Sequence, residues 1–428
     1  MTAPLRLGIA GLGTVGVGVV KIIRQKANLL SLRTGRPVVI TAVSARSKDK
    51  DRGVNLSDYA WEDDPVALAT RDDVDVFVEL MGGSDGPAKA ATEAAIAAGK
   101  DVVTANKAML AIHGQALAES AETAGKVIRF EAAVAGGIPV VKSLTEGLAG
   151  NDITRVMGVM NGTCNYILTR MENAGLPYDE VFAEADALGY LEADPNLDVG
   201  GIDAGHKLSL LASIAYGTKV SFDAVELEGI GRITIEDIHQ AADMGYRIKL
   251  LGVAQMTGRG LEQRMTPCLV PADSPLGQLE GGTNMVVLEG DNVGQIVLRG
   301  AGAGEGPTTS AVMSDVIEIA RGTRLTTFGQ PAATLEEARP AQSATPAPYY
   351  LRMELTDKPG ALAKVAAVLG EAGVSIDRMR QYSHESDNAP VLIVTHKCTR
   401  QSLDAALEGL GGTGVVATAP VAIRIETV

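Results

Sequence analysis

With 428 residues the chain exceeds what one hydrophobic core usually serves, so two or three domains are expected. Its 46% apolar and 21% charged residues are ordinary globular usage. A formal charge of −14 with only 4% aromatics argues against a nucleic-acid partner, whose phosphates need a basic surface and whose bases need stacking platforms.

The first 135 residues alternate strand-like and helix-like segments. The apolar run 5–10 ends in glycines, and Val15, Val19, Ile22, Ile23 and Leu29 then recur at helical spacing. Residues 38–43, 74–80 and 101–104 read as further strands, and the Ala-rich stretches 87–98 and 110–124 as helices. Strands alternating with helices predict a parallel sheet covered on both faces, a Rossmann-type α/β domain over 1–135. From residue 136 the rhythm changes. Strands at 154–160, 285–289 and 295–298 are separated by long helical segments, which predicts an α+β or mixed-sheet domain over 136–325 whose last helix can return to the first domain. Residues 326–348, rich in Pro, Ala and polar residues without periodicity, read as a linker. Within 349–428 the strands are 350–355, 374–382, 391–396 and 415–425 and the helices 360–372 and 399–409. Their order, βαββαβ, is the ferredoxin-like arrangement.

Cys164, Cys268 and Cys398 are odd in number, far apart and without CxxC spacing, which supports neither a disulfide framework nor a thiolate zinc site and suits a reducing compartment. No signal-like segment is evident and no apolar run reaches bilayer length, so a cytoplasmic protein without membrane contact is expected.

Gly11-Leu-Gly13-Thr14-Val15-Gly16 follows the first strand and opens a helix. In that context GxGxxG allows a tight turn and brings backbone N–H groups to a pyrophosphate at the helix N-terminus. Gly11, Gly13, Thr14, Val15 and Gly16 are therefore the candidate cofactor contacts; the alternative is a glycine-rich turn without a ligand. The second strand runs into Val43-Ser44-Ala45-Arg46-Ser47-Lys48, where no carboxylate is available for a ribose 2′-hydroxyl. Arg46 and Lys48 could instead pair with a 2′-phosphate, favouring NADP over NAD with dual use left open. Arg46 as a solvated loop cation is the competing reading. Thr104-Ala105-Asn106-Lys107 follows another strand, placing Ala105 and Lys107 at the sheet edge near the nicotinamide end.

The densest polar stretch runs from Leu188 to Lys207 and contains Glu192, Asp194, Asp198, Asp203 and His206. Asp203 and Lys207, four apart, share a helix face, and Asp203 at a helix start suits the dipole. Hydride transfer at an alcohol carbon needs a partner for the hydroxyl proton, and a lysine can serve where burial or a second cation such as Lys107 tunes it. Glu192 and Asp198 offer acceptors for a substrate ammonium. A surface ion pair beside an Asp-rich turn remains the plainer account of these residues.

Two further motifs, Phe130-Glu131-Ala-Ala-Val134-Ala-Gly136-Gly-Ile138-Pro139 and Asn161-Gly162-Thr163-Cys164-Asn165-Tyr166, change that balance. With the glycine turn, residues 104–107 and residues 189–207, they make the chain resemble the homoserine dehydrogenase family from about residue 5 to 321. The resemblance implies interconversion of L-homoserine and L-aspartate 4-semialdehyde with NAD(P), in threonine, methionine and isoleucine biosynthesis. It implies Lys207 as proton donor, Lys107 as a second functional lysine, and Glu192 and Asp203 as substrate-binding residues. It also implies a monovalent cation, usually sodium, on Glu131 and on the carbonyls of Val134, Gly136 and Ile138; hard oxygen ligands suit such an ion. Gly304, in the second glycine loop Gly300-Ala-Gly-Ala-Gly304, would return to the cofactor. Residues 136–325 become the catalytic and dimerisation domain of a homodimer or homotetramer. Cys164 stands where threonine is more usual in the family and Gly200 where an acidic residue is common, which touches substrate positioning more than the reaction. Since the glycine turn comes so early, no kinase domain is expected ahead of it.

Leu355-Thr-Asp357-Lys-Pro359-Gly360-Ala-Leu362 resembles the start of an ACT domain, implying an amino-acid effector, threonine first, with a packing module lacking a ligand as the alternative. Two other functional readings stay open: a non-catalytic dinucleotide and amino-acid sensor, which would not need Asp203, Lys207 and Lys107 together, and a different amino-acid dehydrogenase, which residues 192–207 disfavour.

Overall fold

The computed structural model describes the chain except for residues 1, 192–193, 342, 383–387 and 428. Among the described residues, six strands form the first sheet, in the order Ala60–Glu62, Val38–Ser44, Leu5–Ala10, Val76–Glu79, Asp101–Thr104, Ile128–Arg129. Every neighbouring pair is parallel. Val76–Glu79 and Asp101–Thr104 are buried throughout, as a sheet covered on both faces demands. The chain enters at the central strand Leu5–Ala10, moves outward to one edge and crosses to Val76–Glu79. The crevice above those two strands is thus the topological switch point of a Rossmann-type sheet.

Helix Glu305–Arg321 packs on helix Thr14–Gln25 so closely that a Cβ on Gly18 would lie 2.3 Å from Thr309 Oγ1. Its Val312, Val316 and Ile319 share one apolar cluster with Leu7, Ile9 and Val19. The helix therefore covers the first sheet, although it comes late in the chain.

The second sheet is mixed and has ten described strands. Its centre is the hairpin Tyr246–Thr257 and Gly260–Pro271, paired in register over all twelve positions. The sequence reading placed helices between residues 160 and 285 and missed this hairpin. The reason is burial: residues 248–254 and 261–270 are buried without interruption, so the two-residue alternation that marks a half-exposed strand is absent. The polar residues in those runs, Glu262 and Arg264 among them, are paired rather than solvated.

The ferredoxin-like unit has the strand order Val421–Ile425, Tyr349–Thr356, Asn388–Thr395, Ile376–Gln381, with both helices on one face. It is not a detached module. Val421–Ile425 pairs in parallel with Gly260–Pro271 through Cys268–Arg424 and Leu269–Ile425, extending the middle domain's sheet. Glu426 bonds both Arg264 and Arg424 at that junction. The unit's remaining face lies on helix Ile235–Asp243, where fully buried Asp237 accepts from Arg352 Nε at 2.6 Å. The aperiodic segment 326–348 is pinned to the core: Phe328 is buried with its ring 5.6 Å from that of Phe130, and Glu336 bridges to Thr218.

Candidate active site

Two elements from different domains build the central cluster. Strand Asp101–Thr104 delivers Lys107 as the first residue of helix Lys107–Thr123, which Asn106 caps by accepting from Met109 N–H. Helix Ile202–Tyr216 supplies Asp203 in its first turn and Lys207 one turn on. Gly201 precedes it at φ +81°, a left-handed conformation, with the Met265 side chain 3.2 Å from where a Cβ would stand. Asp203 Oδ2 lies 2.7 Å from Lys207 Nζ and its Oδ1 2.8 Å from Lys107 Nζ. Lys207 Nζ also donates to Met160 O at 2.9 Å. An ammonium has three N–H bonds, so one remains to aim at a substrate oxygen.

Asp203 is buried, and burial alone would raise its carboxyl; Lys207 and then Lys107 overcome that and hold it well below the usual carboxylate range. It is a fixed negative charge that orients two ammonium groups. Burial lowers the neighbouring His206, whose ring lies 4.1 Å from that of Phe222.

The turn 160–166 frames the far side. Asn161 donates to Asp198 Oδ1 at 3.0 Å and caps helix Gly162–Ala174 through Cys164 N–H at 2.8 Å. The Cys164 thiol donates to Asp198 O at 3.3 Å, and burial, then Asp198 and Asp203, push it well above the ordinary thiol range. It is a buried packing group rather than a nucleophile. At Gly200 a Cβ would stand 2.5 Å from Asn196 O, so the turn that carries Asp198 closes where a larger residue would go. Glu192 lies outside the described residues.

On the cofactor side the three glycines have separate reasons. Gly11 is at φ +99° with Leu80 O 2.4 Å from its absent Cβ, and a Cβ on Gly16 would meet Gly11 O at 2.0 Å. Gly13 faces open space and caps helix Thr14–Gln25 without a side chain, which leaves Thr14 and Val15 at an uncovered helix start. That geometry fits a pyrophosphate. Arg46 and Lys48 are exposed and make no hydrogen bond or ion pair among the described residues. Gly304, at φ +113°, opens helix Glu305–Arg321.

A residue that the sequence reading missed braces the crevice. Fully buried Glu79, ending a strand of apolar residues, accepts from Thr104 Oγ1 at 2.6 Å and from Met81 N–H at 2.7 Å. Ala105 N–H reaches Glu79 O at 3.3 Å. A carboxylate closing the run Val76-Phe77-Val78 was the signal.

The Glu131 carboxylate accepts from Val141 N–H at 3.0 Å and Lys142 N–H at 2.8 Å. Burial, then Asp315, raise it to about 7. Ala135 and Gly136 are both left-handed, at φ 54°, and Ile138 O accepts from Val140 N–H at 2.8 Å. The buried Glu131 carboxylate supplies hard oxygens with little charge. Among the described residues no three His, Cys, Asp or Glu side chains gather into a metal-holding group.

A switch-point crevice with an uncovered glycine turn, facing a lysine–carboxylate–lysine cluster, defines a dinucleotide-dependent oxidoreductase. Comparison with known proteins narrows this. Residues 11–131 match the family model "Homoserine dehydrogenase, NAD binding domain", 139–317 the model "Homoserine dehydrogenase" and 349–410 "ACT domain". A homoserine dehydrogenase of Neisseria gonorrhoeae is 41% identical over 99% of both chains. The crystal structure of one from Thiobacillus denitrificans is 37% identical with a TM-score of 0.94, covering 99% of this chain and 98% of that one. A hyperthermophilic archaeal homoserine dehydrogenase in complex with NADPH, 28% identical with a TM-score of 0.63, covers 74% of this chain and 97% of its own. The chain belongs to the homoserine dehydrogenase family, an NAD(P)-dependent oxidoreductase acting on a CH–OH group, and carries a C-terminal ACT domain.

Proposed function

We propose that this chain interconverts L-homoserine and L-aspartate 4-semialdehyde, with Lys207 moving the alcohol proton. The observation that carries the reading is Asp203 held between two ammonium groups at 2.7 and 2.8 Å beside the switch-point crevice. The dinucleotide, when bound there, accepts hydride from the alcohol carbon or returns it.

In the reducing direction the third N–H of Lys207 donates to the aldehyde oxygen as negative charge develops on it. In the oxidising direction the neutral amine takes the hydroxyl proton. Asp203 and Met160 O fix the amine through its other two N–H positions, so the proton moves along one line. Lys107 supplies a second positive charge near the same oxygen. Asp198 and Glu192 receive the substrate ammonium. Gly11, Gly13, Thr14, Val15 and Gly16 hold the pyrophosphate, with Ala105 and Gly304 along the crevice.

NADP is the preferred nucleotide in this reading, supported by the exposed Arg46 and the absence of a carboxylate at the end of Val38–Ser44. A sodium ion on Glu131 and the carbonyls of Val134, Gly136 and Ile138 would offset the cost of that buried carboxylate. Replacing choline by sodium at constant ionic strength should raise the melting temperature of the wild type and not that of Glu131→Gln. The effector is an amino acid, threonine first, at the turn around Asp357 and Gly360. Three buried free cysteines are consistent with the cytoplasm, and a homodimer or homotetramer, serving threonine, methionine and isoleucine biosynthesis, completes the reading. No described helix is long and apolar enough to cross a membrane.

The deciding experiment follows nicotinamide absorbance near roughly 340 nm with homoserine and each nucleotide, with and without threonine. Lys207→Ala with undiminished turnover would end the proton-transfer assignment.

A further inference from the structure

The loop after strand Val38–Ser44 carries Arg46 and Lys48 on an exposed rim. A cation that must meet a phosphate binds more tightly when its loop is already ordered, because less conformational freedom is lost on binding. One side chain supplies that order here. Arg52 Nη1 donates to Lys50 O at 2.8 Å and Nη2 to Ser47 O at 2.5 Å, so the loop is gripped on either side of Lys48. Its Nε donates to Leu12 O at 3.2 Å, and Leu12 stands inside the glycine turn. The guanidinium lies 5.7 Å over the Trp61 ring, on the outermost strand Ala60–Glu62. The chain turns sharply beside it, with Gly53 at φ +66° donating to Asp51 Oδ1 at 2.9 Å.

These contacts reach three backbone carbonyls from one planar group. Two belong to the segment that carries the cations and one to the turn that would receive the pyrophosphate. Only a rigid fork of five N–H donors can do this; a lysine, with a single point of donation, cannot. All three acceptors are main-chain carbonyls, and among the described residues no carboxylate pairs with Arg52.

We propose that Arg52 is a positioning residue for nucleotide selectivity. It bolts the loop bearing Arg46 to the glycine turn, so that the 2′-phosphate end and the pyrophosphate end of the site keep a fixed spacing. Arg52 acts through Arg46, and the inference rests on the assignment of Arg46 to the 2′-phosphate.

The test titrates NADPH and NADH against the full chain by nucleotide fluorescence, in wild type, Arg46→Ala, Arg52→Ala, Arg52→Lys and the double alanine variant. Arg52→Ala should weaken NADPH about tenfold and NADH by no more than about twofold, and the double variant should be no weaker than Arg46→Ala, as expected for two residues in one pathway. Arg52→Lys should behave like Arg52→Ala. Without nucleotide, hydrogen exchange over residues 45–53 should quicken in Arg52→Ala and remain unchanged elsewhere. Equal weakening of both nucleotides, or unchanged exchange in the loop, overturns the proposal. Additive losses in the double variant also overturn it, since Arg52 would then be a direct phosphate ligand. If Arg52→Ala does not fold, the same readings on Arg52→Lys decide. If Arg46→Ala alone leaves NADPH binding intact, the 2′-phosphate assignment falls first, and that result is separate from the exchange measurement.

Discussion

Asp203 and Glu131 are both carboxylates removed from water, and their surroundings drive them in opposite directions. At Asp203 burial pushes the carboxyl up, and two full charges at 2.7 and 2.8 Å drive it far down. At Glu131 burial acts the same way, but the groups bonded to the carboxylate are the N–H bonds of Val141 and Lys142. Asp315 adds a like charge, and the ammonium of Lys142 is paired with Asp315 and Glu318 instead, so the carboxyl stands at about 7. Backbone dipoles orient a buried carboxylate, but full charges decide whether it stays ionised. Asp203 is thus a fixed charge that holds two ammonium groups, and Glu131 a carboxylate whose ionisation its surroundings leave nearly balanced near neutrality.

The comparison is broken most easily at the lysines. Lys207→Ala should lower kcat by about 10³-fold, within the usual range for loss of a positioned acid–base group, while NADPH titration by fluorescence changes by less than about twofold. A small effect on kcat would mean that Asp203 orients nothing of consequence. Asp203→Asn keeps the shape and removes the charge. It should cost about 10²-fold in kcat, because Lys107 and Lys207 lose the charge that holds them side by side. Since the folded carboxyl lies below its unfolded value of 3.8, Asp203 contributes stability that is present above that value and lost only as pH falls through the folded one. It should therefore add no slope to stability between pH 5 and pH 8, about the range of a routine profile. Glu131→Ala leaves the N–H groups of Val141 and Lys142 without acceptors. A loss of about 2–3 kcal/mol in urea unfolding is expected, with kcat per folded molecule changed far less than in the lysine variant.

How much of this could be read in the sequence depended on whether the cause was local. The glycine turn was legible because the left-handed backbone of Gly11 and the contact of Gly16 with Gly11 O are local demands, although the approach of Leu80 to Gly11 is not. Asp203 and Lys207 were legible because a helix places i and i+4 together. The ferredoxin-like order was legible because its helices and strands keep clean periods. The central hairpin was hidden by uninterrupted burial. Glu79 went unremarked because its partners, Thr104 and Met81, meet it only once two parallel strands lie side by side. The joining of Val421–Ile425 to Gly260–Pro271 has no local signature either, since it rests on two residue pairs and on the Glu426–Arg264 contact.

Lys249 carries the comparison from acids to a base. It lies in the central hairpin, buried, with Nζ donating to Asn165 Oδ1 at 3.1 Å and to Leu279 O. Among the described residues no carboxylate is paired with it. Burial therefore lowers the ammonium to about 8, with Glu172 and Glu280 pulling weakly the other way. A base lowered in the fold binds its proton less readily there than in the unfolded chain, whose value is 10.5. Between about 8 and 10.5 the unfolded state holds the proton and the folded state has lost it, so this residue makes stability rise with pH across that window. The gain is at most about 3 kcal/mol, and Lys249→Met, of similar bulk, should abolish it. Subtracting the two proteins' urea-unfolding curves at each pH removes every other titrating group from the comparison. A difference that stays level from pH 8 to pH 10.5 would place a full negative charge close to Lys249 and make it resemble Lys207. A difference that climbs identifies a buried cation held only by neutral oxygens, the basic counterpart of Glu131.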